Sequence, residues 1–252
     1  MQEMPMRLPN TVFSGLLSIG LVFFSFPASS WPVSVSAADD PLAEVVEAAR
    51  KTHDESQLQS VKTQLEQKIA QNPNDGAAYY DLARVHFCLV DVYEMRKDKK
   101  AAGAAVDKAI EAVQRSLPIN DKSADVHSLL ADLYGRKISL GNGMFAGPKF
   151  GPMVKEENAK AMALDDKNPR VWASLGRQYL MAPKMFGGDV AKSIESFQKS
   201  LALDPALDET WVWLAKAFRK QGDKTKARDA IQHALSLNPD SPWIKETANS
   251  LK

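Results

Sequence analysis

The chain has one cysteine, almost no net charge and no run of alternating apolar residues, and each of these absences narrows what it does. Cys88 has no partner cysteine, so an internal disulfide is excluded. A formal net charge of +1 gives no overall attraction to nucleic acid, because every basic stretch has acids within a turn or two. Without strand patterns, the 252 residues predict an all-α protein.

Catalytic motifs are also missing. The four histidines show no metal-ligand spacing, and no nucleophile elbow or phosphate-binding glycine loop occurs. Pairs of adjacent aspartates at residues 39–40 and 165–166 suit helix caps better than an acid–base pair. The sequence therefore predicts a protein that is not an enzyme and that binds no metal and no cofactor.

Residues 1–37 are predicted to be a signal peptide. Thr11–Phe26 carries no charge, and Pro27 and a segment of small residues ending at Ala37 follow it, as signal peptidase requires. The mature protein is then periplasmic or secreted and has no membrane span. The alternative is an uncleaved signal that anchors the chain in the inner membrane.

One pattern of large and small residues recurs four times within residues 75–252. The fullest copy, W-x2-L-G-x2-Y, begins at Trp172, and looser copies begin at Tyr79, His127 and Trp211. The large first residue of each copy fills the gap between two helices, a small residue four positions later allows their close approach, and a proline ends the second helix. Such helix pairs bury their apolar faces by stacking on their neighbours.

These elements resemble the tetratricopeptide-repeat (TPR) superfamily. The resemblance implies a right-handed superhelical solenoid of about four helix pairs over residues 75–252, with a helical lead-in at 38–74 and a polar C-terminal capping helix. It also implies one or more protein partners, and it leaves homo-oligomers open. Nucleic acid is not an expected partner.

The segment Pro183–Asp189, with the sequences GPKFGP and NPRVW, is similar to exported bacterial TPR proteins. Among these we compare it with the periplasmic T-component of TRAP-type solute transporters. That resemblance implies a periplasmic helical protein that docks a solute-binding protein. The chain departs from the family because no cysteine directly follows the apolar stretch to carry a lipid anchor.

Two insertions lengthen the second and third repeats beyond the roughly 34 residues of a standard unit. They occupy residues 141–153 and 182–189, share the sequence Met-Phe-x-Gly, and are predicted to be loops that touch on one edge of the solenoid. Their apolar side chains either pack as a small satellite core or form a partner- or ligand-binding surface. The candidate residues are Met144, Phe145, Phe150, Met185 and Phe186.

The groove formed by the first helix of each helix pair is a second candidate surface. Groove-facing positions hold Tyr80, Arg84, Arg177, Lys216 and Arg219, which predict an aromatic and basic wall suited to carboxylates. Asp125 and Asp132 are local exceptions in this wall. The Lys–Asn pairs of chaperone-binding TPRs do not occur there. We predict an exported, non-enzymatic adaptor that mediates protein–protein interaction in the cell envelope. The alternative is a small-ligand carrier whose insertion loops enclose a solute.

Overall fold

The computed structural model describes residues 41–251, and the predicted signal peptide lies outside them. Over these residues the chain forms α-helices and one 3-10 turn but no strand, which confirms the all-α class. In the same part of the chain, no helix is both long and apolar enough to cross a bilayer. The helices are α1 Pro41–Thr52, α2 Glu55–Gln71, α3 Gly76–Met95, α4 Lys99–Ser116, α5 Ala124–Leu140, α6 Gly143–Leu164, α7 Pro169–Met181, α8 Val190–Leu203, α9 Asp208–Gln221, α10 Lys224–Leu237 and α11 Pro242–Ser250.

Most helices begin at a polar side chain that caps free backbone N–H groups. Asp75, Asp98 and Ser123 each accept a hydrogen bond from the backbone N–H three residues further on. These caps satisfy N–H groups that a helix cannot pair internally, so they fix where it starts. The repeat spacing predicts helices at Gly76–Met95, Ala124–Leu140, Pro169–Met181, Asp208–Gln221 and Lys224–Leu237, and α3, α5, α7, α9 and α10 have these bounds.

Consecutive helices pack as pairs, α3 with α4, α5 with α6, α7 with α8 and α9 with α10. The short connections make the two members of a pair antiparallel. Gly176 on α7 shows why the repeat needs a small residue, since a Cβ there would stand 2.6 Å from the ring of Phe197 on α8. Phe197 is fully buried, and its burial contributes about 2–3 kcal/mol to folding.

The first insertion is helical, so the prediction of a loop over residues 141–153 is wrong. Asn142 accepts a hydrogen bond from the N–H of Met144, and α6 begins there. Phe150 then stacks on Tyr134 of α5, with ring centroids 5.8 Å apart, and Met153 packs on the same core. This helical spacing of apolar residues outweighs the helix-breaking Gly and Pro content.

Two glycine–proline pairs explain how α6 passes through Pro148 and Pro152. A Cβ on the residue before proline clashes with the proline ring in helical conformation, and Gly147 and Gly151 have none. Each proline still removes one backbone hydrogen bond from the helix. The first turns of α6 are therefore held by their packing on α5 rather than by intrinsic helix propensity.

The buried apolar side chains form two main clusters. One extends through α1–α6 and contains Leu58, Val85 and Leu133, and the other extends through α7–α11 and contains Phe197 and Ile244. Each half of the solenoid thus has a core of its own.

The two ends of the described chain meet at a set of polar contacts that we call the seam. Arg50 of α1 pairs with Glu209 and, at 3.4 Å, with Asp208 at the start of α9. Asn238, after α10, donates to the Lys51 carbonyl oxygen at 3.1 Å and to Asp208 at 2.7 Å. The solenoid therefore closes on itself.

Candidate functional site

Three of the predicted groove residues, Tyr80, Arg84 and Arg177, line one cavity of about 100 Å³ on the inner face of the solenoid. Helices α3, α5, α7 and α9 supply most of its wall, and α1 supplies Arg50 from the seam. Four arginines and four acidic residues share the lining: Arg50, Arg84, Arg170, Arg177, Asp125, Asp132, Asp208 and Glu209. The inner face is therefore balanced in charge, where the sequence predicted a basic wall.

Each of the innermost arginines already has a carboxylate partner. Arg84 lies 2.7 Å from Glu47 and 3.3 Å from Asp81, and Arg177 binds Asp132 through two nitrogens, one at 2.9 Å. Burial raises the pKa of Glu47, but its hydrogen bonds and charge contacts with Arg50 and Arg84 outweigh that effect and lower the pKa to about 2. These arginines are used to hold the solenoid together.

Two further residues that line the cavity, Tyr80 and Cys88, are kept neutral by burial. Burial raises the pKa of Tyr80 to about 12, with Asp125 acting in the same direction. Burial likewise raises the pKa of the Cys88 thiol, which is 4% exposed. Cys88 is thus a buried apolar contact rather than a reactive thiol.

Lys216 lies away from this cavity, beside a second one of about 220 Å³ lined by α3, α9 and α11. Its ammonium stands over the rings of Trp213 and Trp243, 4.4 and 4.9 Å from their centroids. Burial, reinforced by the charge of Arg136, lowers the pKa of Lys216 to about 8. Arg219 lines neither of the two cavities.

His53, at the break between α1 and α2, contacts two residues that line the second cavity, Trp243 and Asp91. Its ring stacks on Trp243, with centroids 6.1 Å apart, and its Nε2 lies 3.9 Å from Asp91. Its backbone is left-handed, with φ of 49°, which is uncommon outside glycine. His53 thus joins the lead-in helices to the C-terminal cap, a contact that no sequence pattern indicated.

The insertions present a very different surface, which we call the insertion edge. Of the described residues, its five members are the most exposed large apolar side chains, from 54% for Phe186 to 83% for Met185. They lie at the start of α6, the end of α7 and the 3-10 turn Lys184–Phe186: Met144, Phe145, Met181, Met185 and Phe186. Phe150 is excluded, because it packs on Tyr134.

Sequence reasoning missed several of these residues. Arg50, Asp208 and Glu209 meet across about 160 positions of sequence, and no local pattern signals such a contact. Met181 was identifiable, because it directly precedes the second insertion and has the same apolar character. Among residues 41–251, no three His, Cys, Asp or Glu side chains are grouped as a metal site.

One family model matches the chain from residue 45 to residue 252, and it is described as regulator of microtubule dynamics protein 1-3. The match covers nearly all of α1–α11, including both cores and the insertion edge. The chain belongs to this family. No protein of curated function matches the sequence.

Solved structures place this member of the regulator of microtubule dynamics family among TPR solenoids. The thermophilic TPR protein TTC0263 of Thermus thermophilus aligns with a TM-score of 0.62 at 16% identity, over 83% of this chain and 98% of that one. The TPR resemblance is therefore confirmed at the level of the fold. The similarity to the TRAP T-component stays a prediction.

Two further structures are more distant. YrrB, described as a TPR protein with an unusual peptide-binding site, aligns with a TM-score of 0.39 at 10% identity, over 83% of this chain and 98% of that one. MamA aligns with a TM-score of 0.40 at 15% identity, over 79% of this chain and 95% of that one.

Proposed function

We propose that this protein is a non-catalytic scaffold that docks onto its partner through the insertion edge. The observation that carries the proposal is the grouping of the five most exposed large apolar side chains of the described residues on that edge. Monomeric proteins rarely leave such side chains together in water, and an apolar patch of this kind usually marks an interaction site.

The inner face supports the same proposal, because its innermost arginines are already paired with carboxylates and are not available to a partner. A TPR groove that holds a peptide carboxylate needs cations without other partners, but Arg50, Arg84 and Arg177 are paired with carboxylates of the chain itself. Binding an acidic segment there requires breaking partly buried ion pairs, which is unfavourable. The insertion edge requires no such rearrangement.

Catalysis finds little support in the buried ionisable groups. Most of them form arginine–carboxylate pairs, and arginine does not exchange protons near neutral pH. The histidine His127 is also engaged, with Nδ1 2.5 Å from Glu157 and Nε2 3.0 Å from the Asp121 carbonyl oxygen. These contacts are those of a framework rather than of a reactive site.

The carrier alternative has weaker support. Phe145 and Phe186 are 73% and 54% exposed, so they do not enclose a solute. The cavities of about 100 and 220 Å³ are smaller than the roughly 300–1,000 Å³ of typical ligand pockets.

We also propose that the protein is exported to the cell envelope, on the strength of Thr11–Phe26 and the small residues before Ala38. The name of the family ascribes regulation of microtubule dynamics to its members, and that role would place the chain at microtubules rather than in the cell envelope. The N-terminal residue of the protein purified from its native source decides the point. A mature chain that begins at Ala38 or Asp39 supports export with cleavage, and an intact N-terminus contradicts cleavage of a signal peptide.

The docking proposal is tested by crosslinking and affinity capture from the native cell fraction, with the double variant Phe145→Ser/Phe186→Ser. A matched control is Leu203→Ser/Leu237→Ser, which removes exposed apolar side chains at the opposite edge. Circular dichroism first shows that both variants fold. We expect the edge variant to lose its crosslinked partner and the control to keep it; equal capture by the two variants contradicts docking of a protein at this edge.

A further inference from the structure

We propose that the insertion edge docks onto an anionic lipid surface, with its apolar side chains between the headgroups and its lysines at the lipid phosphates. The inference rests on the proposed docking function and names the partner. Amphipathic surfaces that bind membranes in this way combine large apolar side chains with a surrounding ring of Lys or Arg.

The apolar side chains share one edge because of the helix order. In each pair the first helix ends, and the second begins, at the same edge of the solenoid. Contacts confirm that the repeats are aligned: Arg136 near the end of α5 pairs with Glu94 at the end of α3, and Lys220 at the end of α9 donates to the carbonyl oxygen of Leu180 near the end of α7. The five side chains of the insertion edge therefore belong to helix ends on the same edge, and each of them is more than half exposed.

Four lysines flank these side chains, and they are not neutralised. Lys149, Lys155, Lys184 and Lys192 are all exposed, and none forms an ion pair with another described residue. The one acid within the second insertion is Asp189, which caps α8 by accepting from the N–H groups of Ala191 and Lys192. The apolar patch therefore stands in a local excess of positive charge.

The same charge asymmetry extends along the solenoid. At this edge, the turns before α4 and α10 add exposed lysines, and their aspartates serve as helix caps. These lysines are Lys97, Lys99, Lys100 and Lys224. The connections at the opposite edge hold two lysines, Lys122 and Lys167, and more acids than bases, although Asp75 also caps α3 and both Asp75 and Asp240 form ion pairs. The acids are Asp75, Asp121, Asp165, Asp166, Asp204 and Asp240. A chain with a net charge of +1 thus presents one basic edge and one acidic edge.

This distribution favours a membrane over a folded protein partner. Positive charge spread over several repeats suits an extended surface of uniform negative charge, and each lysine near such a surface adds about 1 kcal/mol. Flexible Met side chains on a Gly- and Pro-rich backbone adapt to a fluid surface, which has no fixed shape complementary to them. An acidic protein face is the alternative, and the experiment separates the two.

The test places an environment-sensitive fluorophore on the full chain at Met185→Cys. The native thiol does not interfere, since Cys88 is 4% exposed. A second labelled variant, Lys167→Cys, reports on the opposite edge. The probes are vesicles of phosphatidylcholine alone and vesicles of phosphatidylcholine and phosphatidylglycerol at about three to one. Comparing label positions separates docking by the edge from attachment through Thr11–Phe26.

We expect a blue shift of the label at position 185 with the anionic vesicles and none at position 167. Lys149→Gln/Lys184→Gln should weaken this response by about fivefold for each lysine removed, and added salt should weaken it further. The matched variant Lys122→Gln/Lys167→Gln, at the opposite edge, should leave it unchanged. Equal emission with both vesicle types, or equal loss in both lysine variants, overturns the inference.

The outcomes also separate this inference from the proposed function. If the Phe145→Ser/Phe186→Ser variant loses a protein partner while the emission of the label at position 185 does not change on adding vesicles, the edge docks a protein and the lipid inference is wrong. If neither assay responds to changes at the edge, both proposals are wrong.

Discussion

The inner face and the insertion edge use similar residue types in opposite ways. On the inner face, arginines are partly buried and paired with carboxylates, as in the contact of Arg84 with Glu47. On the edge, lysines are exposed without such partners, and large apolar side chains such as Met185 point into water. In a solenoid, the residue type at a groove position therefore says less about binding than whether that side chain already forms an ion pair within the chain.

The largest expected effect is the loss of the seam. Arg50→Ala removes the common partner of Glu47, Asp208 and Glu209. Glu47 keeps its pair with Arg84, but the buried Asp208 and the partly buried Glu209 lose their ion-pair partner. We expect a loss of about 3–5 kcal/mol in unfolding free energy, measured by urea denaturation. Lys226→Ala, which breaks an exposed pair with Asp223, should leave the unfolding free energy almost unchanged. Similar losses for both variants would remove the contrast between buried and exposed charges.

The two phenylalanines of the first insertion give the next largest effect. Phe150→Ala should cost about 2–4 kcal/mol, because it removes the ring that stacks on Tyr134. Phe145→Ala should change stability by less than about 0.5 kcal/mol, because the ring is 73% exposed. Thermal and urea denaturation of the two variants compare them directly. A large loss at Phe145 would show that the edge is part of the core.

Lowering the pH should remove the stabilisation that the ion pairs of Glu47 give to the inner face. The folded pKa of Glu47 is about 2, below its ordinary value of 4.5, so its ion pairs stabilise the protein fully above pH 4.5 and are lost as pH falls toward 2. Glu47→Gln lacks this group, so its stability deficit relative to wild type should shrink over that window. Urea denaturation at stepped pH measures the deficit. A deficit that stays constant between pH 5 and pH 3 contradicts the assignment.

The smallest expected effect is a gain at the start of α6. Pro148 is exposed and removes a backbone hydrogen bond, so Pro148→Ala should stabilise the helix by about 1 kcal/mol. Hydrogen exchange of amides between residues 144 and 152 should slow. Unchanged exchange would mean that packing on α5, rather than the proline, limits the opening of this segment.

Local signals in the sequence predicted most helices, because caps and prolines lie within a few residues of the bounds they set. Gly76–Met95 and Pro169–Met181 were predicted to the residue for this reason. The start of α6 was missed, because the Gly and Pro content of residues 143–152 indicates a loop and only packing on Tyr134 makes it helical.

The candidate surfaces were harder to predict. Arg84 and Arg177 were placed correctly on the inner face, but their carboxylate partners come from other helices, so their pairing could not be read from spacing. The same holds for Lys216, whose position between two tryptophans depends on the fold of α11 against α9. The exposed Met and Phe of the insertions were visible in the sequence, but whether they pack depends on the helix they belong to.

Closure by the seam changes how such a protein unfolds. An open repeat array loses its terminal repeats first, since each end has one neighbour only. Here the hydrogen bond from Asn238 to Lys51 and the pairs of Arg50 give both ends a second neighbour. Fraying of either end therefore requires opening the seam, which couples the first helix to the last repeat in one cooperative transition. The same contact, which joins residues nearly 190 positions apart, raises the contact order and makes closure a slow, late step of folding.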